Sequence, residues 1–267
     1  MDAKIFNAFR ELIYAASGIT LNEKKEALVS ARIAKRMRVL NLESQSAYLR
    51  HVTEDDSGEE MVQLLDVIST NVTHFYREEH HFQLVSQLLE SWRSQGQSRF
   101  RIWSAGCSSG EEPYTLAITI KEALNGGTAD ARILATDIST RILHKAIEGA
   151  YDKKKIDNVP GMLRDKYFHK AGRLEAATYS VTNDLRNMIL FRRLNLSVVP
   201  FPMQGPMDII FCRNVMIYFD NNVRANLLKE FHRLLKPGGY LMVGHAESLT
   251  GILCGLKSVQ PSVYAKA

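Results

Sequence analysis

The stretch that decides the fold is Arg101–Ala117, RIWSAGCSSGEEPYTLA. It begins with apolar residues typical of a buried strand, passes through a Gly/Ser turn, and becomes a helix that opens on Glu111 and Glu112. A glycine-rich turn between a strand and a helix lets backbone N–H groups approach a ligand closely. The stretch therefore predicts a ligand site at the carboxyl end of a sheet strand.

Short apolar runs alternate with helical segments from about residue 99 onward. The predicted strands are Phe100–Ser104, Arg132–Thr136, Ile189–Arg193, Met207–Cys212 and Tyr240–Val243. The predicted helices between them are Pro113–Leu124, Thr140–Glu148 and Val223–Leu235. This alternation predicts an α/β fold with a parallel sheet covered on both faces. We expect Ser262–Ala265 to pair as an antiparallel edge strand.

The first 70 residues instead show apolar residues at helical spacing, as in Phe6, Phe9 and Ile13. We expect a small all-helical domain at 1–70 and a linker with a helix at 71–98 that contributes to the ligand site. The sheet domain would then fill 99–267. Polar residues break the strand–helix rhythm at about 150–187 and predict a small β insertion.

The composition fits a globular protein, with 45% hydrophobic and 24% charged residues. The net charge of +5 is concentrated between Lys24 and Arg38, which is compatible with nucleic acid, an acidic membrane surface or an acidic protein partner. We expect no membrane insertion, because the chain lacks a long apolar run. The three widely separated cysteines, Cys107, Cys212 and Cys254, favour a reducing cytoplasm.

The ligand site carries acidic residues at two strand ends. Asp137 closes the predicted strand ILATD and can accept hydrogen bonds from a ribose diol. The turn GCSSG is not G-x-G-x-x-G, and its helix opens on two glutamates that would disfavour a pyrophosphate. A ligand with a ribose, a cationic group and no phosphate fits better. S-adenosylmethionine (SAM) meets these conditions, and LLKPGGYLMV (234–243) is typical of Rossmann-like SAM-dependent methyltransferases.

Six blocks along the chain resemble, in the same order, the chemotaxis receptor methyltransferase (CheR) family. They are ISTNVTHFYRE (68–78), GCSSGEEPYTLA (106–117), ATDIS (135–139), LNL (194–196), FCRNVMIYFD (211–220) and LLKPGGYLMVGHAES (234–248). The resemblance implies a Rossmann-like class I SAM-dependent methyltransferase domain with a small helical N-terminal domain and a small β insertion. It also implies methyl transfer to glutamates of methyl-accepting chemotaxis receptors, which yields glutamate methyl esters and S-adenosylhomocysteine.

The resemblance also implies roles for individual residues. The cofactor-binding residues would be Asn71, Thr73, Arg77, Gly106, Glu112, Asp137, Asn195, Leu196, Asn214 and Val215. The residues nearest to the transferred methyl group would be Arg77, Arg213 and Tyr218. The motif's spacing favours Glu112 over Glu111 as the partner of the methionine ammonium, but Glu111 stays open. No general base is needed, because a glutamate carboxylate is already ionised at neutral pH.

The family's substrate is an acidic helical bundle, so the basic N-terminal helix is a candidate for docking it through Arg32, Arg36 and Arg38. The alternative is that these side chains form an ordinary solvated face. In relatives that bind a C-terminal receptor peptide, the β insertion carries a G-x-G loop. Here it reads FHKAGRLEAATYSVTNDL with one glycine, Gly172, so we do not expect peptide binding there. We expect a monomer that takes no nucleic acid.

Parts of the sequence are compatible with two other functions. The basic pI would suit a nucleic-acid methyltransferase, but the position after the fourth strand reads CRNV instead of an N/D-P-P-Y tetrapeptide. A non-catalytic module that responds to SAM is the second alternative, and Arg77 with Tyr218 argues against it. His74, His80 and His81 do not form a convincing set of metal ligands, and no metal is expected.

Overall fold

The computed structural model describes residues 1–124, 129–172, 177–249, 251–252 and 254–267. Within these, the first part of the chain is helical: α1 Ala3–Ser17, α2 Glu26–Leu40, α3 Gln45–Thr53, α4 Glu59–Ile68 and α5 His80–Ser94. A 3₁₀ turn at Glu23–Lys25 precedes α2. Helices α1 to α4 pack around fully buried Phe9, Ile33 and Leu64, which satisfies the apolar stripes of these amphipathic helices.

The remaining elements alternate between strands and helices. The strands are β1 Arg99–Ala105, β2 Asp130–Asp137, β3 Ala150–Asp152, β4 Phe168–Ala171, β5 Thr178–Val181, β6 Ile189–Arg193, β7 Met207–Cys212, β8 Leu235–Val243, β9 Leu256–Gln260 and β10 Val263–Lys266. The helices are α6 Glu111–Ala123, α7 Thr140–Glu148, α8 Lys153–Ile156, α9 Gly161–Tyr167, α10 Asn183–Arg186 and α11 Asn221–Leu234.

The main sheet has seven strands in the order β6-β2-β1-β7-β8-β10-β9. Neighbouring strands from β6 to β8 are parallel, and β10 is antiparallel to both β8 and β9. The two faces of β1 and β7 belong to two apolar layers, with Phe211 on one face and Trp103 and Ile210 on the other. Both faces are thus buried, as the near-continuous apolar strands predict.

The predicted α/β fold is confirmed, with one correction at the C-terminus. Val263–Lys266 is antiparallel as expected, but it lies inside the sheet between β8 and β9. The edge strand at this end of the sheet is Leu256–Gln260. Its sequence lacks the apolar pattern of a strand because Lys257, Ser258 and Val259 are exposed. A hairpin of two short strands at this end therefore replaces the single predicted edge strand.

The β insertion is a separate antiparallel sheet of three strands in the order β3-β5-β4. Its apolar side packs into the same core layer as α5 and α6 through Tyr151, Phe168 and Tyr179. Part of the loop between β4 and β5, residues 173–176, lies outside the described residues. The insertion is therefore built onto the side of the sheet domain that faces the linker after α4.

Some contacts between the helical N-terminal body and the sheet domain involve backbone atoms. Gly18 ends α1 with a φ of 70°, and a Cβ there would lie 2.6 Å from the Ser197 Cβ. The Thr20 amide donates to the Tyr218 carbonyl at 2.8 Å, and Asn195 Nδ2 donates to the Ala16 carbonyl at 2.8 Å. None of the helices in the described part of the chain is both long and apolar enough to span a bilayer.

Candidate active site

A cavity lies between the helical body, the linker and the carboxyl ends of the central strands. About 1140 Å³ of space lies between its walls, a volume that includes its opening to solvent. The residues predicted at the site that line it are Asn71, Thr73, Arg77, Gly106, Glu112, Asp137, Asn195, Leu196, Arg213, Asn214, Val215 and Tyr218. All the residues predicted to bind the cofactor or to lie near the transferred methyl group therefore line one cavity.

The glycine turn after β1 is held by strand β2. Gly106 and Cys107 both donate from their backbone amides to the Thr136 carbonyl, at 2.7 and 2.8 Å. Gly106 has a φ of 86°, and a Cβ there would lie 2.4 Å from a methyl carbon of Val215. A side chain at this position would thus collide with the opposite wall and also strain the backbone.

Asp137 stands at the end of β2 and binds the same turn. Its two carboxylate oxygens accept hydrogen bonds from the Ser108 amide at 2.9 Å and the Ser139 amide at 3.0 Å. Burial raises its pKa above the ordinary value, although these backbone hydrogen bonds oppose the shift. Each carboxylate oxygen retains a second lone pair, so Asp137 can still accept from a ligand hydroxyl.

The two glutamates that open α6 have different surroundings. Glu112 lines the cavity, where Ser104 Oγ donates to one oxygen at 2.7 Å and Arg213 Nε to the other at 2.7 Å. Glu111 is fully buried and is not among the cavity-lining residues. It instead pairs with Lys155 at 2.7 Å. The geometry favours Glu112 as the carboxylate that faces a bound cation.

Arg213, expected near the transferred methyl group, is buried beneath the cavity. Its guanidinium also lies 3.5 Å from Glu78 Oε2 and over the rings of Phe82 and Phe211 at 5.1 and 5.3 Å. Burial and the nearby Arg213 lower the pKa of His81 to about 3, so this imidazole is neutral at physiological pH. In this arrangement Arg213 orients the Glu112 carboxylate and balances its charge.

Glu247 was missed by the sequence reasoning, although it lies in the quoted block LLKPGGYLMVGHAES. Its carboxylate accepts backbone hydrogen bonds from Asn214 and Gly244 at 2.7 Å each and from Ile217 at 3.2 Å. Asn214 has a φ of 60°, so the segment that leads to Tyr218 depends on this buried anchor. The signal available in sequence was an acid just after a buried strand.

Arg77 and Tyr218 lie on different walls and are both half-buried. Arg77 Nη1 donates to the Val72 carbonyl at 3.0 Å, which folds the side chain back along its own segment. Lys25 Nζ lies 5.0 Å from the centre of the Tyr218 ring, a cation–π contact. Lys25 also lines the cavity, a position that the sequence reasoning did not single out.

The three arginines proposed for docking have different surroundings. Arg32 lines the cavity and donates to the carbonyls of Ile68 and Ser69 at the end of α4. Arg36 is paired with Glu60 through Nε at 2.9 Å and Nη2 at 2.6 Å. Arg38 is exposed, and its Nε donates to the Ala34 carbonyl at 3.4 Å. Of the three, Arg38 is the one that faces solvent.

The cavity fits SAM by an independent criterion, its unsatisfied polar atoms. Among the described residues, the buried Oγ of Ser108 and Oδ1 of Asn214 have no hydrogen-bond partner, and buried polar groups normally have one. Both residues line the cavity beside Asp137 and Glu112. A ribose and an α-ammonium would supply donors to these oxygens and carboxylates, so the wall matches the polar groups of SAM.

Comparison with known proteins assigns both parts of the chain to one family. Residues 4–69 match the all-alpha domain of CheR methyltransferases, and residues 71–263 match their SAM-binding domain. A chemotaxis protein methyltransferase of Borreliella burgdorferi is 38% identical over 96% of this chain and 92% of that protein. Chemotaxis protein methyltransferase 2 of Pseudomonas aeruginosa is 37% identical over 98% and 92%.

Among solved structures, a SAM-dependent methyltransferase from Methanosarcina mazei aligns with 55% of this chain and 52% of its own, at 20% identity and a TM-score of 0.33. That likeness is too low to support an argument, whereas the family match covers the cavity and the helices above it. The protein belongs to the CheR family of chemotaxis protein methyltransferases, enzymes that use SAM as methyl donor and release S-adenosylhomocysteine.

Proposed function

We propose that the protein methylates glutamate side chains on the cytoplasmic helices of chemotaxis receptors. The observation that carries this proposal is the composition of the cavity wall. The cavity is lined by the cationic residues Arg77, Arg32 and Lys25 and by Tyr218. A carboxylate that enters from solvent would meet these groups, which suits an anionic acceptor.

The chain's own residues would bind and orient rather than move protons. Bound SAM supplies a methyl group on a positively charged sulfur. Asn71, Thr73 and Glu112 would hold the methionine part, and Asp137 would hold the ribose. Asn195 and Leu196 would flank the adenine.

The acceptor glutamate needs alignment, because its carboxylate is already ionised. Arg77 would bind one carboxylate oxygen through its planar fork and leave the other free to attack. Tyr218 would donate a hydrogen bond to the same carboxylate. Gly106, Asn214 and Val215 would close the opposite wall and exclude water. Arg213 would act through Glu112, so we now propose it as a positioning residue.

The exposed basic side chains of the helical body are suited to a helical partner with acidic side chains. Lys24, Lys35 and Arg38 are exposed around α2, where they could meet acidic side chains of a receptor bundle in a salt-dependent encounter. Arg36 is held in its pair with Glu60 and would contribute less. We also propose that the protein acts as a monomer in the cytoplasm and does not bind nucleic acid.

The test is incubation with methyl-labelled SAM and a receptor cytoplasmic fragment. We expect base-labile label on the fragment, as for an ester, and about 10²-fold slower transfer by Arg77→Ala, because an oriented charged contact to the reacting group is lost. Arg50→Ala, which changes an exposed arginine on α3, is the matched control. SAM binding without transfer, base-stable label, or label on added nucleic acid would contradict the proposal.

A further inference from the structure

The β insertion sends two side chains to the turn that begins the cofactor site. The Tyr151 hydroxyl donates to the Ser109 carbonyl at 2.8 Å. Lys155 Nζ donates to Glu111 Oε1 at 2.7 Å. Ser109 directly follows the cavity-lining residues of the glycine turn, and Glu111 directly precedes cavity-lining Glu112. The insertion therefore contacts the glycine turn and the first turn of α6, which border the cavity.

The same lysine also reaches the linker. Lys155 Nζ donates to the Thr73 carbonyl at 3.1 Å, so one ammonium group bridges the linker and the first turn of α6. Next to Thr73, the fully buried ring of Phe75 packs edge-on against Tyr151 at 5.0 Å and Phe168 at 5.6 Å. Both rings belong to the insertion, so the insertion forms part of the apolar surroundings of the Phe75 side chain on the linker.

The opposite end of the linker is held by the helical body. Arg32 binds the carbonyls of Ile68 and Ser69 and the hydroxyl of Thr70. Between this attachment and the one at Thr73 lies Asn71, and Arg77 follows it. Three cavity-lining residues, Asn71, Thr73 and Arg77, therefore lie on a segment whose position depends on two cations from different parts of the fold.

The Lys155–Glu111 contact is asymmetric in burial. The Glu111 side chain is 0% exposed, whereas that of Lys155 is 39% exposed. The other Glu111 oxygen accepts from Ser109 Oγ at 2.6 Å. Loss of the lysine charge would leave a buried carboxylate without its cation, which is unfavourable. Movement of Ser109, Glu111 and the linker would relieve that cost by admitting water.

We propose that Lys155 is a positioning residue for the cofactor site. It fixes the linker against the first turn of α6, and it thereby sets the positions of Asn71, Thr73 and Arg77 around the cavity. The consequence is that the insertion is coupled to cofactor affinity. A molecule that displaces α8 would change the affinity for SAM without touching the cavity.

The test compares Lys155→Met with Lys154→Met, its exposed neighbour on α8. Both changes remove one charge and keep the side chain's length. We expect S-adenosylhomocysteine to bind Lys155→Met about tenfold more weakly, as for loss of a charged hydrogen bond, with Lys154→Met unchanged. Lys155→Arg, which restores the cation, should recover most of the affinity.

A second measurement uses the protein without any ligand. Amide hydrogen exchange across residues 71–77 should be faster in Lys155→Met, while exchange in α1 to α4 stays as in the control, because a local attachment has been lost. Steady-state kinetics should show a raised KM for SAM in Lys155→Met and an unchanged one in Lys154→Met.

Equal S-adenosylhomocysteine affinity in the two methionine variants would overturn the proposal. If Lys155→Met does not fold, Glu111→Gln keeps the lysine on Thr73 and removes the buried charge. It should bind S-adenosylhomocysteine about threefold more weakly, roughly the worth of one hydrogen bond, because the linker loses its charged attachment to α6, and wild-type affinity would overturn the proposal. Ligand binding and exchange do not involve the acceptor, so these results are independent of whether receptor glutamates are the substrate.

Discussion

Individual residues differ in how far the sequence reveals them. Glu112 and Asp137 were predicted at the site because Asp137 ends one strand and Glu112 follows another, and strand ends are where a parallel sheet binds ligands. Glu247 and Lys155 act on backbone that is distant in sequence: Glu247 on Asn214, and Lys155 on Thr73. No local pattern encodes such pairs, because their partners are set only when the chain is folded.

Gly106 gives a prediction at this scale. Gly106→Ala should weaken S-adenosylhomocysteine binding and destabilise the fold by about 1–3 kcal/mol, the usual cost of a strained residue with a clash. The physical reason is the 2.4 Å approach of its Cβ to Val215 combined with a φ of 86°. Isothermal titration and urea unfolding would measure the two effects.

Gly96→Ala is the matched control for this prediction. Gly96 also has a positive φ, 91°, but a Cβ there meets nothing within 4 Å. It should show the backbone strain alone and bind S-adenosylhomocysteine normally. Equal affinities in the two variants would mean that the Gly106–Val215 wall is not part of the cofactor site.

The sequence predicted the strands and helices better than it predicted which strands pair and which side chains meet. The alternation of strands and helices predicted all five parallel strands of the main sheet, because buried strands read as continuous apolar runs. The hairpin of β9 and β10 was only half predicted, since β9 exposes most of its side chains. On α2, helical periodicity identified the basic face but could not show that Glu60 on α4 neutralises Arg36.

The contact between α2 and α4 gives a prediction about pH. Burial acts to raise the pKa of Glu60, but hydrogen bonds from Arg36 and Tyr48 outweigh it and hold the pKa below its ordinary value of 4.5. A depressed carboxyl pKa stabilises the fold above the unfolded pKa, and that stability is lost as pH falls through the folded pKa. Glu60 should therefore stabilise the helical body at neutral pH.

Glu60→Gln tests this contribution by urea unfolding at pH 7, 5 and 4. The variant should be less stable than the wild type at pH 7 and pH 5, and the difference should shrink below about 4.5, where the unfolded carboxyl takes up a proton. Glu59→Gln, at the exposed neighbouring position on α4, should show no such pattern. A difference that is constant over this pH range would contradict the assignment.

At the scale of the whole molecule, the cavity lies between two parts of the chain. One wall consists of residues from α1, α2 and the linker, and the other of strand ends. A helical domain at 1–70 and a linker at 71–98 that contributes to the site stay predictions from sequence, which did not include Lys25 and Arg32 among the cavity-lining residues. Which way a helix face points across a domain interface depends on how the two bodies pack, and one sequence does not encode that locally.

Gly18→Ala tests the closure. Its Cβ would lie 2.6 Å from the Ser197 Cβ and 3.4 Å from a Val223 methyl carbon, so the added carbon should push the helical body away from the sheet domain. We expect weaker S-adenosylhomocysteine binding and about 1–3 kcal/mol lower stability. Gly58→Ala has the same φ of 70° with nothing within 4 Å and should bind normally. Normal binding by Gly18→Ala would show that the cavity does not depend on this contact.

Several contacts across this interface use main-chain atoms on at least one side, whereas Tyr14 donates to Asp220 at 2.5 Å through side chains alone. The Thr20 amide binds the Tyr218 carbonyl, the Ala16 carbonyl accepts from Asn195, and Ile19 and Phe219 form an isolated antiparallel bridge. Main-chain groups persist through substitution, so most point mutations on the outer faces of the helices would leave this contact unchanged. Substitutions on those outer faces could therefore change which partner the helical body binds, while the main-chain contacts that hold this body against the cavity stay in place.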